Sequence, residues 1–163
     1  MRRLRLAALL LAVVTIGSVF GVAAVANASN ANNDDQVFLA RLRNVTAKYH
    51  DIDKAVAAGW VDLSVCVDHM GHHFGRLELP QANPPFDGNV DPLDPEALVY
   101  ADDGTGHLKL VAVEWIATQE QHVFGAHDLH FNGDFQLWIL HAWIWSPNPD
   151  GMWADMNPGI GNC

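Results

Sequence analysis

Apolar residues run almost unbroken over positions 6–25, and after a polar stretch the hydrophobic positions recur first at helical and later at strand spacing. From Asp34 onward, Val37, Leu39, Ala40, Leu42, Val45 and Tyr49 recur two to four residues apart, with Asp34 or Asp35 as cap and Lys48 near the end, which predicts a helix. A shorter helix is expected over 51–58, with Ile52, Ala55 and Val56 turned inward and Gly59 as its stop. Trp60–Val67 alternates imperfectly and reads as a strand. Five prolines in the sixteen residues 80–95 rule out a continuous helix or central strand and predict an extended surface loop. Next comes a hairpin: a strand over 96–100, turn chemistry in Asp102, Asp103, Gly104, Thr105 and Gly106, and a long return strand over 108–118. A last strand over 135–145 has almost no polar residue except Gln136 and His141, and turns at 147–151 and 157–159 lead to Cys163. Helices first and antiparallel strands after give an α+β fold: two N-terminal helices packed on an antiparallel sheet, open or barrel-like.

The opening apolar run changes the picture of what the working chain is. Arg2, Arg3 and Arg5 precede it, and Ala26-Asn27-Ala28 follows with the small-x-small pattern that a signal peptidase accepts. The expected organisation is a cleavable signal peptide over 1–28, an unstructured polar leader over 29–33 and a single globular domain over 34–163. No stop-transfer cluster of Lys or Arg follows the run and no cysteine lies near the cleavage site, so the mature protein is expected outside the cytoplasm without a stable membrane anchor. Removing 1–28 takes three basic residues and no acidic one, leaving six against nineteen and a net charge of −13 with neutral histidines. Such a surface repels phosphates and excludes nucleic acid as a partner; a small molecule is the expected one. Cys66 and Cys163, both in the mature part, are expected to form a disulfide, as paired cysteines of exported chains usually do.

All nine histidines lie in the mature domain. Five fall in two tight groups, His69, His72 and His73 in one and His127 and His130 in the other, while His141 stands alone in the apolar last strand. Neutral imidazole is a favoured ligand of Zn, Cu, Ni and non-haem Fe, although this spacing matches no closed zinc-finger pattern. Glu114 has apolar neighbours on both sides in Val113-Glu114-Trp115, so its carboxylate is expected to be buried and to need a cation, a metal or a strong donor. With His141 in the same situation on a neighbouring strand, the two satisfy each other directly or through a metal. The expected ligands are His73, Glu114 and His141, with His127, His130 or His72 as a fourth. His73 is favoured in its group because Gly71 permits close backbone approach and Phe74 returns to the core. Trp143 and Trp145 are candidates for a ligand-binding surface in this tryptophan-rich domain. Met70, Met152 and Met156 read as packing, and 87–91 reads as a plain acidic turn rather than a calcium loop.

Met70-Gly71-His72-His73-Phe74, Val113-Glu114-Trp115 and Leu140-His141-Ala142-Trp143, with Ala58-Gly59-Trp60, Asp91-Pro92, Pro95-Glu96-Ala97-Leu98-Val99-Tyr100 and Asn148-Pro149, resemble a group of small secreted bacterial proteins, chiefly actinobacterial. The resemblance covers most of the mature chain. It implies an extracytoplasmic location and a paired terminal cysteine, and carries over no catalytic residue. The expected function is a secreted metal-binding protein, in its sharpest form a cupin-like mononuclear metalloenzyme, with Zn or Cu favoured over Fe because an oxidising exterior does not keep Fe(II) reduced. The alternatives are a non-enzymatic extracellular binding module using the tryptophans and a secreted structural or interaction domain.

Overall fold

The computed structural model describes residues 19–76 and 89–163. Helix α1 spans Val19–Thr46; it starts ahead of Asp34 and includes 29–33, the segment expected as an unstructured leader. Its buried residues Phe38, Leu39, Leu42 and Thr46 form one stripe at helical spacing. Val37 and Val45, expected on that stripe, are exposed. Phe38 decides the rotation, because its ring stacks on Phe124 at 4.2 Å and on Trp115 at 6.3 Å, and Val37, one residue earlier, is turned about 100° away.

The Thr46 hydroxyl donates back to the Leu42 carbonyl at 2.8 Å where α1 ends. A single 3-10 turn, Ala47–His50, follows. Asp51 then caps α2, Ile52–Ala57, by accepting from the Asp53 N–H. Gly59, at a φ of 92°, takes the left-handed conformation that stops this helix where the sequence places the stop. Within α2 only Ala55 is buried, and Val56, expected inward, faces solvent.

Among the described residues eight strands follow: β1 Trp60–Val67, β2 Gly71–Arg76, β3 Ala97–Asp102, β4 Leu108–Ala117, β5 His122–Phe124, β6 His127–Asp128, β7 His130–Asn132 and β8 Leu137–Ala142. Six of them form an antiparallel sheet in the order β1-β2-β3-β4-β8-β7, while β5 and β6 pair separately. The predicted hairpin is β3 and β4, its turn held by Asp102 and Asp103 side chains that accept from the N–H groups of Gly104, Gly106 and Thr105. The fold is α+β, but the sheet is open. Its edges β1 and β7 do not pair with each other, and a β7 of three residues offers little ladder to close against, so the barrel-like form is not adopted. The last strand is also shorter than expected, because beyond Ala142 the Trp143 N–H turns to the Met152 carbonyl and the Trp145 N–H to Val111. The proline-rich loop lies largely outside the described residues.

Alternation gives the sheet two different faces. On one, Phe74, Leu98, Tyr100, Val113, Trp115 and Leu140 pack with Phe38, Leu39 and Leu42 of α1 to make the main core. On the other, Val99, Ala101, Ala112 and Trp143 pack with Ile160 of the C-terminal segment, and Ala97, Ile116 and Ile139 form a smaller cluster. That segment is fastened by the Asn157 N–H to the His69 carbonyl at 2.8 Å, by His69 Nδ1 to the Ile160 carbonyl at 3.0 Å, and by a Cys66–Cys163 disulfide with its Cα atoms 5.9 Å apart. Among the described residues no helix is long and apolar enough to cross a membrane; the apolar run over 6–25 lies mostly outside them.

Candidate metal centre

Glu114 sits mid-strand in β4, directly opposite His141 of β8 on one side and Ala97 of β3 on the other. Ala97 is in turn opposite Gly75 of β2. His73, two residues from Gly75, therefore shares the face of Glu114 and His141. In that row Ala97 carries only a methyl group beside Glu114, and Leu63 packs over Gly75. His73 Nε2 stands 3.5 Å from Glu114 Oε2, and His141 Nε2 stands 3.6 Å from Glu114 Oε1. One ligand atom from each residue lies within 4.8 Å of the others, and no other such group of three occurs among the described residues. All three are buried, with His73 7% exposed, Glu114 5% and His141 0%. The approach of β2 to β3 that brings His73 in depends on Gly71. Its φ is 107°, and a Cβ there would stand 2.3 Å from the Tyr100 carbonyl oxygen.

His141 is the least satisfied of the three. Neither ring nitrogen has a hydrogen-bond partner. A charge-assisted N–H···O⁻ bond measures about 2.7–2.9 Å, so the 3.6 Å to Glu114 is an electrostatic contact. Burial works hardest on this imidazole and favours its neutral form, yet the Glu114 charge and then Asp155 outweigh it, and His141 titrates above an ordinary histidine. Asp155, on the C-terminal segment, stands 3.9 Å from His141 Nδ1 and 2.8 Å from His130 Nε2. Burial alone would raise the Asp155 carboxyl, but its contacts with His141 and His130 bring it below the usual carboxylate range.

The other expected ligands are not brought to this centre. His130 reaches it only through Asp155, from an exposed position on β7. His127 lies on β6 of the separate two-stranded sheet, stacked on Trp153 at 3.8 Å, with Nε2 3.4 Å from Asp35 of α1. Standing three positions apart does not keep the two histidines together once β6 and β7 join different sheets. His72, next to His73 on β2, faces the other way by strand alternation. Trp143 is not a ligand surface: it is buried, stacks against His141 with ring centroids 5.9 Å apart, and donates from Nε1 to the Ala154 carbonyl at 2.6 Å. Trp145, past the end of β8, packs on the helix side, 4.3 Å from the His50 ring and with Nε1 3.4 Å from the Thr46 hydroxyl. Trp60, Trp115 and Trp143 are buried, and Trp138, Trp145 and Trp153 are half-buried against the core. Asp155 escapes the sequence reading because nothing in the aperiodic run Trp153-Ala154-Asp155 marks it as a partner of His141.

Beside these three residues lies a cavity of about 140 Å³ lined by Leu63, Met70, Ile116, Phe135, Leu137 and Ile139 together with His73 and Glu114. An ion held there would have protein on the His141 side and open space toward the cavity. Comparison with family models, curated proteins and solved structures gives no match, so the functional reading rests on this geometry.

Proposed function

We propose that the chain is an exported metal-binding protein that holds one divalent ion through His73, Glu114 and His141. The observation that carries the reading is His141: it is fully buried, neither ring nitrogen is hydrogen-bonded, and Nε2 faces Glu114 across 3.6 Å. An unsatisfied buried donor costs about 1–3 kcal/mol. The two imidazoles approach different oxygens of the Glu114 carboxylate, His73 Nε2 at 3.5 Å from Oε2 and His141 Nε2 at 3.6 Å from Oε1. One ligand atom from each of the three residues lies within 4.8 Å of the others, so small side-chain movements bring them to the distance of about 2.0–2.2 Å that one ion requires. A direct His141–Glu114 hydrogen bond would draw the pair closer than 3.6 Å.

Two imidazoles and one carboxylate suit Zn or Cu, and an oxidising exterior disfavours Fe(II). The Cys66–Cys163 disulfide fits that compartment. A bound Zn of this ligand type would supply Lewis acidity and lower the pKa of a water in its fourth position. Around it, Glu114 offsets part of the ionic charge, and the Asp155 carboxylate, 3.9 Å from His141 Nδ1, adds negative potential on the far side of the ring. The cupin-like form is set aside, since cupins are double-sheet jelly rolls and the strands around this centre belong to one six-stranded sheet.

The test is elemental analysis of protein exported natively and purified without chelator or affinity metal. One Zn or Cu per chain is expected, with stoichiometry falling below about one-tenth in folded Glu114→Gln and His141→Ala variants. Metal-free protein that also fails to take up micromolar Zn or Cu overturns the proposal.

A further inference from the structure

Among the described residues, Glu114 and His73 are the only polar members of the cavity wall, beside Leu63, Met70, Ile116, Phe135, Leu137 and Ile139. Met70, Ile116 and Ile139 are buried, whereas Phe135 is 46% exposed and marks the rim. The wall is tightly built on its β1 side: a Cβ at Gly75 would stand 3.0 Å from Leu63 Cδ1, so any larger residue there would push Leu63 toward the cavity. A ligand body in this space meets hydrocarbon everywhere except at the end where two of the three proposed metal ligands stand.

We infer that this site takes a small molecule with one oxygen-donor head and a compact apolar body, the head on the metal and the body among Ile116, Leu137 and Ile139. The inference rests on the metal reading and adds the class of ligand. Size sets the limit. An apolar cavity of about 150 Å³ is filled by benzene, and the cavity here measures about 140 Å³, so the body has roughly six to eight carbons. Sugars, nucleotides and peptides do not match, because their bodies carry polar groups for which this wall offers no partner.

The experiment uses the protein loaded with Co(II), whose visible absorption reports changes at the metal, and a series of alkyl hydroxamates as probes. Affinity is expected to rise about 10- to 200-fold from acetohydroxamate to hexanohydroxamate, as four added methylenes leave water. The gain should stop beyond octanohydroxamate, when the cavity is full. A Leu137→Trp variant, which fills the cavity from a half-buried wall position, should keep the Co(II) spectrum of the ligand-free protein while losing the chain-length gain. Bound Co(II) with a flat chain-length series overturns the ligand class and leaves the metal reading standing. A protein that shows no Co(II) spectrum, and no Zn by titration, overturns both.

Discussion

His141 combines complete burial with two unbonded ring nitrogens, and its protonation couples stability to pH in a definite direction. Its folded pKa lies above the ordinary value, with burial opposed and outweighed by Glu114 and Asp155. In metal-free protein this contribution is therefore fully present below the unfolded histidine pKa of about 6.5 and is lost as pH rises through the folded value. The Tm of chelator-treated protein should fall over that interval, and a His141→Phe variant should flatten the profile. Bound metal reverses the sign, because the ion competes with the proton and binds more tightly as pH rises. Calorimetric titration with Zn in buffers of different ionisation enthalpy should show proton release at neutral pH. Gly71 is a second residue where one atom decides the outcome. In Gly71→Ala the added Cβ meets the Tyr100 carbonyl at a φ of 107°, and a destabilisation of about 2–4 kcal/mol is expected from the denaturant midpoint.

At the scale of elements, the centre depends on three strands bringing the same face together and on the small residues between them. Ala97 is fully buried, opposite both Glu114 and Gly75. An Ala97→Leu change should fill the space between His73 and Glu114, lowering Zn affinity at least 100-fold in competition titration while overpacking costs about 1–3 kcal/mol of stability. Much of this was legible in the sequence. A carboxylate amid apolar strand residues announced Glu114, the same logic announced His141, and Gly71 pointed to His73. What could not be read was pairing. His127 and His130 look like a ligand pair because only two residues separate them, but the short strands β6 and β7 have no hydrophobic period to show that they join different sheets. Trp143 and Trp145 alternate correctly for one face of a strand, yet β8 ends at Ala142, and backbone hydrogen bonds to Met152 and Val111 send the two rings to opposite sides. The helical stripe was displaced for a similar reason, since Phe38 found aromatic partners that no local pattern contains.

Across the whole molecule, the C-terminal segment is a clasp over the face that carries the centre, closed by a disulfide between residues 97 apart in sequence. A Cys66→Ser, Cys163→Ser double variant should lose up to about 4 kcal/mol of stability, since the unfolded chain regains the freedom of a loop of roughly 100 residues. It should still bind one metal ion, with lower affinity, because all three proposed ligands lie on sheet strands and only Asp155 belongs to the clasp. The row Gly75, Ala97, Glu114 and His141 has a different consequence. It crosses four neighbouring strands, and a slip of one residue in any of those pairings would turn that strand's member toward the helix-covered side. In the proposed metal-bound form, only chains in this register bring His73, Glu114 and His141 to one ion, so metal occupancy is expected to report the fraction of correctly paired molecules.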